Sequence, residues 1–207
     1  MTRLIPSRSA ALAGFTLLEV LIASALSIMI AFFIVSLAKD VTDSSLRVSG
    51  SIFSQQQIQQ TLQIMIPEIR SATQSNTGNY PIQTAATSTF EFYSDIDGDG
   101  LFEKVRYFLN GSSFAKGVVK PTGMPLQYVT SSETIATLVD NLVISNQIFS
   151  YYDVTATSTR SQPLPFPVDV IKIKTVKISL VANQGTTNMP SIIGAENEAT
   201  IRNLRYK

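Results

Sequence analysis

The chain has 207 residues, no cysteine and no histidine, and its 16 Lys+Arg against 15 Asp+Glu give a formal net charge of +1. That length suits one globular domain plus an appended arm, and the lack of cysteine excludes disulfide staples. The missing histidines remove the commonest general base and transition-metal ligand, which argues against an enzyme, and a near-neutral charge argues against nucleic acid as a partner.

Residues 1–14 carry Arg3 and Arg8 and no acid. Without these residues Lys+Arg is 14 rather than 16 against 15 acids, so the balance is −1 rather than +1. From Phe15 to Ala38 the chain is greasy: 19 of 24 residues are apolar and Glu19 alone is ionisable. At ~1.5 Å per residue this helix spans roughly 36 Å, enough to cross a hydrocarbon core of ~30 Å. Arg3 and Arg8 fit a cytoplasmic start under the positive-inside rule, which leaves the remainder of the chain outside the cytoplasm. A carboxylate costs ~2.5 kcal/mol or more at the centre of such a helix, so Glu19 needs a compensating role. A secretory signal peptide would place an apolar run of only ~7–15 residues ahead of its cleavage site. A plain single-pass anchor would account for the length and the arginines, but not for Glu19 or the Gly14–Phe15 junction.

The stretch Gly14-Phe-Thr-Leu-Leu-Glu-Val-Leu-Ile-Ala23 resembles the N-terminal signature of type IV prepilins and of the pseudopilins of type II secretion. The resemblance implies that a membrane prepilin peptidase cuts between Gly14 and Phe15 and that the new amine of Phe15 is N-methylated. It further implies that Glu19 pairs with the N-terminal amine of a neighbouring subunit during filament assembly.

After Ala38 the composition becomes mixed, and Lys39, Asp40, Asp43 and Arg47 mark emergence from the bilayer. Ile58, Leu62, Met65, Ile66 and Ile69 then recur at helical steps opposite a face of Gln55, Gln56, Gln59, Gln60 and Gln63. This predicts an amphipathic helix with one buried stripe and a solvated glutamine face. Pro67 lacks an N–H and crowds the carbonyl of Gln63, so the helix is expected to kink or end near it. Residues 71–79 read as a loop.

Beyond Tyr80 the period becomes alternating, and strands are expected at 89–94, 103–109, 141–144, 148–152, 168–181 (with a bulge) and 199–204. Segments 112–123, 155–167 and 183–190 read as connections. The chain thus divides into a leader (1–14), a membrane or filament-core helix (15–38), an amphipathic continuation (39–73) and a β-rich head (74–207). The class is α+β, an antiparallel sheet packed on one long helix.

The order of short motifs in the head, Ile69-Arg-Ser71, Val105-Arg-Tyr-Phe-Leu109, Val139-Asp-Asn-Leu142, Phe149-Ser-Tyr-Tyr-Asp153, Val168-Asp-Val-Ile171 and Ile201-Arg-Asn-Leu204, is similar to that in J-type minor pseudopilins and the related W-type minor pilins. The resemblance implies a non-enzymatic filament subunit, held in membrane lipid before assembly and partnered by other pilins or pseudopilins, at the priming tip. A filament-tip adhesin or DNA-uptake pilin is the alternative. A membrane-tethered hydrolase would need a nucleophile–base pair, and no motif nominates one.

One constellation has metal-ligand spacing. Asp95-Ile-Asp-Gly-Asp-Gly-Leu-Phe-Glu103 puts carboxylates at positions one, three, five and nine of a loop, with Gly100 at six. Ca²⁺ takes six to eight oxygens, and Leu101 would add its carbonyl. The twelfth position of an EF-hand loop would be Arg106, so this is not an EF-hand. Polar hairpin turns also favour Asp and Gly, but four clustered carboxylates repel one another without a cation, which favours calcium.

Overall fold

The computed structural model describes residues 16–143, 147–153, 162–183 and 192–205, leaving aside the side chains of 43 and 45–53. The expected leader, 1–14 with its Gly14, and Phe15 lie outside the described residues. The chain falls into two compact units, Met1–Leu46 and Arg47–Lys207. One helix, α1 (Leu17–Arg70), contributes to both.

In the first unit, α1 starts where Thr16 can cap it: the Glu19 N–H donates to Thr16 Oγ1 at 3.3 Å and to its carbonyl at 3.0 Å. Thr16-Leu-Leu-Glu19 has the spacing of a capping box, a signal that the apolar run conceals. Leu17–Thr42 has a mean hydropathy of 2.7 and is long and apolar enough to cross a membrane. The side chains of Ser24, Ser27 and Thr42 donate back to the carbonyls of Leu21, Ala23 and Ala38 at 2.8–2.9 Å. Those hydroxyls are therefore satisfied inside the helix, as an apolar surrounding requires.

In the second unit, Ile58, Leu62, Met65 and Ile69 of α1 are buried, while the five glutamines of the opposite face are exposed. Pro67 stands inside the helix, which runs on to Arg70. The chain then caps itself: Ser71 donates its N–H to Pro67 O at 3.0 Å and its hydroxyl to Pro67 O and Glu68 O at 2.9 and 3.0 Å.

Against this stripe lies a five-stranded antiparallel meander of β1 (Ile82–Ala85), β2 (Thr89–Ser94), β3 (Glu103–Asn110), β4 (Ser113–Val119) and β5 (Thr134–Val139). A second antiparallel sheet holds β6 (Phe149–Tyr152), β7 (Thr175–Asn183) and β8 (Ile192–Thr200). Alternation sends Glu103, Val105 and Tyr107 of β3 inward while Lys104, Arg106 and Phe108 stay half-buried. Phe90, Phe92, Tyr107, Phe114, Phe149 and Tyr151 form a chain of ring contacts with centroids 5.2–6.5 Å apart. Phe149 and Tyr151 bring the second sheet into that core, and Tyr151 donates its hydroxyl to Ala86 O at 2.7 Å.

The α+β class and strands β2, β3 and β6 agree with the sequence reading, while other elements correct it. The expected connection 112–123 contains β4, whose Gly117 and small residues mask its alternation. A Cβ on Gly117 would lie 2.0 Å from Glu133 Oε1, so glycine here lets Glu133 reach Arg106, which donates to it at 2.8 and 2.6 Å. The expected bulge near Ile171 is a 3₁₀ turn, Val170–Lys172, capped by the Asp169 side chain, and the strand starts only at Thr175. The expected final strand is another 3₁₀ turn, Arg202–Leu204, preceded by β8. At 141–143 the chain makes one isolated bridge, Leu142 to Ala182, and 144 lies outside the described residues. β1 and β5 were not anticipated.

One polar cluster joins helix to sheet. Glu68 accepts from Tyr107 Oη at 2.7 Å and from Lys116 Nζ at 2.6 Å, with the acid and lysine side chains each only 14% exposed. Burial pushes the Tyr107 hydroxyl well above its usual range, and the Glu68 charge adds to the shift. Removing one partner of such a pair strands the other. Glu68→Ala is expected to destabilise the fold by about 2–3 kcal/mol and Tyr107→Phe by about 1. Glu68→Leu with Lys116→Met should recover most of the loss. Denaturant melts of the detergent-solubilised chain, followed by near-UV circular dichroism, check the order.

Candidate functional site

Two places carry chemistry. The first is the start of α1, where Glu19 occupies the first helical turn and is exposed, as is every described side chain from Thr16 to Thr42. A carboxylate in the first turn complements the helix dipole by ~0.3–1 kcal/mol.

The second is the loop between β2 and β3. Ser94 pairs with Glu103 at the hairpin's base, so the loop runs from Asp95 to Phe102. Gly98 and Gly100 have φ of 77° and 86°, left-handed values that a side chain would strain. Each aspartate side chain accepts a nearby amide. Asp95 takes Gly98 N–H at 2.7 Å and Gly100 N–H at 3.1 Å. Asp97 takes Asp99 N–H at 3.3 Å, and Asp99 takes Leu101 N–H at 2.8 Å. The three aspartates each offer an oxygen within 4.8 Å of the others. Two oxygens on one Ca²⁺ stand no more than about 5.2 Å apart, so this spacing fits one ion.

In that trio Asp97 and Asp99 are exposed and Asp95 is half-buried, and Glu103 stands apart. It is wholly buried, its Oε2 accepts the Ile96 N–H at 3.0 Å, and its Oε1 has no hydrogen-bond partner among the described residues. Burial pushes its carboxyl above the ordinary value, and the charges of Asp97 and Asp99 add to this against the pull of the Ile96 N–H. Leu101 is half-buried and enters the network through its N–H to Asp99.

Sequence reasoning missed Lys120. The β3–β4 register pairs Lys104 with Val119, so one further step sets Lys120 opposite Glu103. Its ammonium pairs with Asp97 and lies 4.0 Å from Asp99. Hydrogen bonding to Lys120 holds Asp97 below the ordinary carboxylate range, and Asp97 raises Lys120 in turn. Only recognition of β4 could have revealed this partner. The loop is anchored from behind: Phe102 N–H donates to Asn76 Oδ1 and Tyr128 Oη donates to Phe102 O, both at 2.7 Å.

No known family model matches the chain, and no curated protein matches it.

The raised Glu103 carboxyl has a thermodynamic consequence. Between the unfolded and folded values the native state binds more protons, so its contribution to stability is largest in acid and is lost as pH rises through the folded value. With divalent cations chelated, Glu103→Gln should therefore melt higher than wild type at neutral pH, and the gap should close below the ordinary carboxylate value of ~4.3. Paired melting curves from acid to neutral pH check it, because the difference between the two proteins cancels the other acids.

Proposed function

We propose that the chain is a minor subunit of a type IV pilus or type II secretion pseudopilus. It would be processed by a prepilin peptidase, held in the inner membrane with its β-rich unit outside the cytoplasm, and packed into a filament with other pilins or pseudopilins. The observation that carries this reading is an apolar helical surface, Leu17–Thr42, exposed along its length among the described residues, with a carboxylate in its first turn. Soluble monomers rarely expose apolar patches above a few hundred Å². At ~1.5 Å per residue this helix presents roughly 39 Å of apolar length, and lipid followed by neighbouring helices supplies the cover.

Glu19 discriminates between an anchor and a subunit. The dipole returns ~0.3–1 kcal/mol, whereas an unpaired intramembrane carboxylate costs up to ~2.5–3.5. The capping position therefore does not by itself compensate burial in a filament core. The methylated amine of Phe15 on a neighbouring subunit would close the gap.

Processing is tested by expressing the chain with a prepilin peptidase and measuring its intact mass. The expected product begins at an N-methylated Phe15, and Gly14→Val should leave residues 1–14 attached. Filament subunits that retain Met1 would overturn the reading.

Assembly is tested with Glu19→Ala. Cleavage and the melting curve of the β-rich unit should be unchanged, while co-purification with partner pilins should fall at least about tenfold, the equivalent of ~1.4 kcal/mol. Wild-type recovery of the variant with its partners would refute the assembly role.

A further inference from the structure

Among the described residues four strands stand at the edges of the two sheets, and three of them are guarded against further pairing. β1 is four residues long, slips register between Ile82 and Thr84, and packs against the 3₁₀ turn Val170–Lys172. The outer edge of β6 is taken by loops: Phe149 N–H donates to Thr87 O at 2.9 Å, and Tyr151 O accepts from Leu164 N–H at 2.8 Å. β8 carries Glu196 and Glu198, both exposed. Short length, irregular register, a covering loop and edge charges are the devices by which a sheet avoids adding strands.

The first four residues of β5 have none of these. Thr134, Ile135, Ala136 and Thr137 are exposed, pair in unbroken register with Val118 to Ala115, and include neither a charge nor a proline. Among the described residues their backbone groups make no hydrogen bond beyond the β4 ladder. The extra residue, Leu138, comes only where the strand enters the core at the buried Val139. The acids at the two ends do not guard the edge either. Glu133 is drawn onto the sheet by Arg106, and Asp140 turns to the hydroxyl of Ser113 at 2.8 Å.

We propose that the open edge of β5 is a docking site for another protein, which adds one of its extended segments as a sixth strand of the first sheet. In this mode main-chain hydrogen bonds supply affinity and alternate side chains supply specificity. The side chains of this edge define the segment. Ile135 is 53% exposed and its cross-strand partner is Gly117, so on the β4 side it has no side chain to pack against. A β-branched or aromatic residue beside it would cover it. Asp140 is exposed and meets a hydroxyl, not a cation, so a Lys or Arg opposite it completes the match. A second copy of this chain lacks that cation. Two-fold antiparallel pairing centred on Thr134–Val139 sets Asp140 against a second Glu133, an acid whose charge Arg106 already matches. The occupant is therefore an uncharged, β-branched segment of a different protein, flanked by a basic residue. Every residue involved lies in the second unit, so the inference stands apart from the filament reading.

The test uses the full chain in detergent micelles and a fluorescent octapeptide, Lys-Thr-Val-Thr-Val-Thr-Val-Lys, as the probe. The expected result is saturable binding by anisotropy, with amide exchange slowed in the fragment holding residues 134–137 and unchanged in β8. N-methylating alternate amides along one edge of the peptide should weaken binding at least about tenfold, while methylating the other edge should leave it intact, because only one edge of an added strand meets the sheet. Asp140→Asn, which keeps an acceptor for Ser113, should weaken binding several-fold at low salt and erase its salt dependence. Unslowed exchange at 134–137 under millimolar peptide, or equal loss from methylating either edge, would overturn strand addition. Tighter binding by a peptide copying residues 133–140 than by the lysine-flanked one would overturn the assigned occupant in favour of a second copy.

Discussion

Six rings in contact, Phe90, Phe92, Tyr107, Phe114, Phe149 and Tyr151, are what the β-rich unit depends on. With no disulfide to constrain the unfolded chain, stability must come from apolar burial, and aromatic side chains supply the most area per residue. Strand alternation places the rings: β2 contributes its two at positions 90 and 92, and β3 contributes Tyr107 two residues beyond the buried Val105. The second sheet has three strands among the described residues, and it shares the core because Phe149 contacts both Phe90 and Phe114.

That aromatic core also explains where polar groups are tolerated. Tyr107 carries a hydroxyl into the apolar interior and needs an acceptor, which Glu68 of α1 provides; the acid in turn needs a counter-charge, and Lys116 of the adjacent strand provides it. Each group in this series is matched, so the series fixes how the helix meets the sheet. Glu103, on the same inward-facing register of β3, breaks the pattern with its unmatched oxygen. Among the described residues Glu103 is the buried acid, whereas the half-buried Glu68, Glu91 and Glu133 each meet a cation.

Much of this was legible from residue order, and the limits have physical reasons. β2 and β3 could be read because Phe-Glu-Phe and Val-Arg-Tyr alternate cleanly between faces. β4 could not, because Gly117 carries no side chain to show its period and is there to admit Glu133, a residue sixteen positions away in sequence. Losing β4 also lost Lys120, whose place beside the acidic loop follows only from the β3–β4 register. The slip in the apolar pattern near Ile171 was visible, but periodicity cannot distinguish a bulge from the 3₁₀ turn that occurs there. At the other end, Glu19 was conspicuous as a charge in a greasy run, whereas Thr16 as its capping partner was hidden by the same run.

The acidic loop is tied to the rest of the second unit through its neck rather than its tip. Phe102 is held by Asn76 and Tyr128, and Thr73 N–H donates to Tyr93 O at 2.9 Å beside it. Asn76 and Thr73 belong to the segment that leaves α1 at Arg70, and Ser71 shares a hydrogen bond of 2.8 Å with Ser94, the last residue of β2. Whatever restrains the loop therefore also restrains the point where helix passes into sheet. A charge-neutralising event at Asp97 and Asp99 would act on a joint already built from short hydrogen bonds, not on a free flap. Local opening at this joint exposes Ala72 and Phe92, both fully buried, so it costs more than opening an isolated turn. That coupling gives a loop of eight residues a bearing on the whole unit.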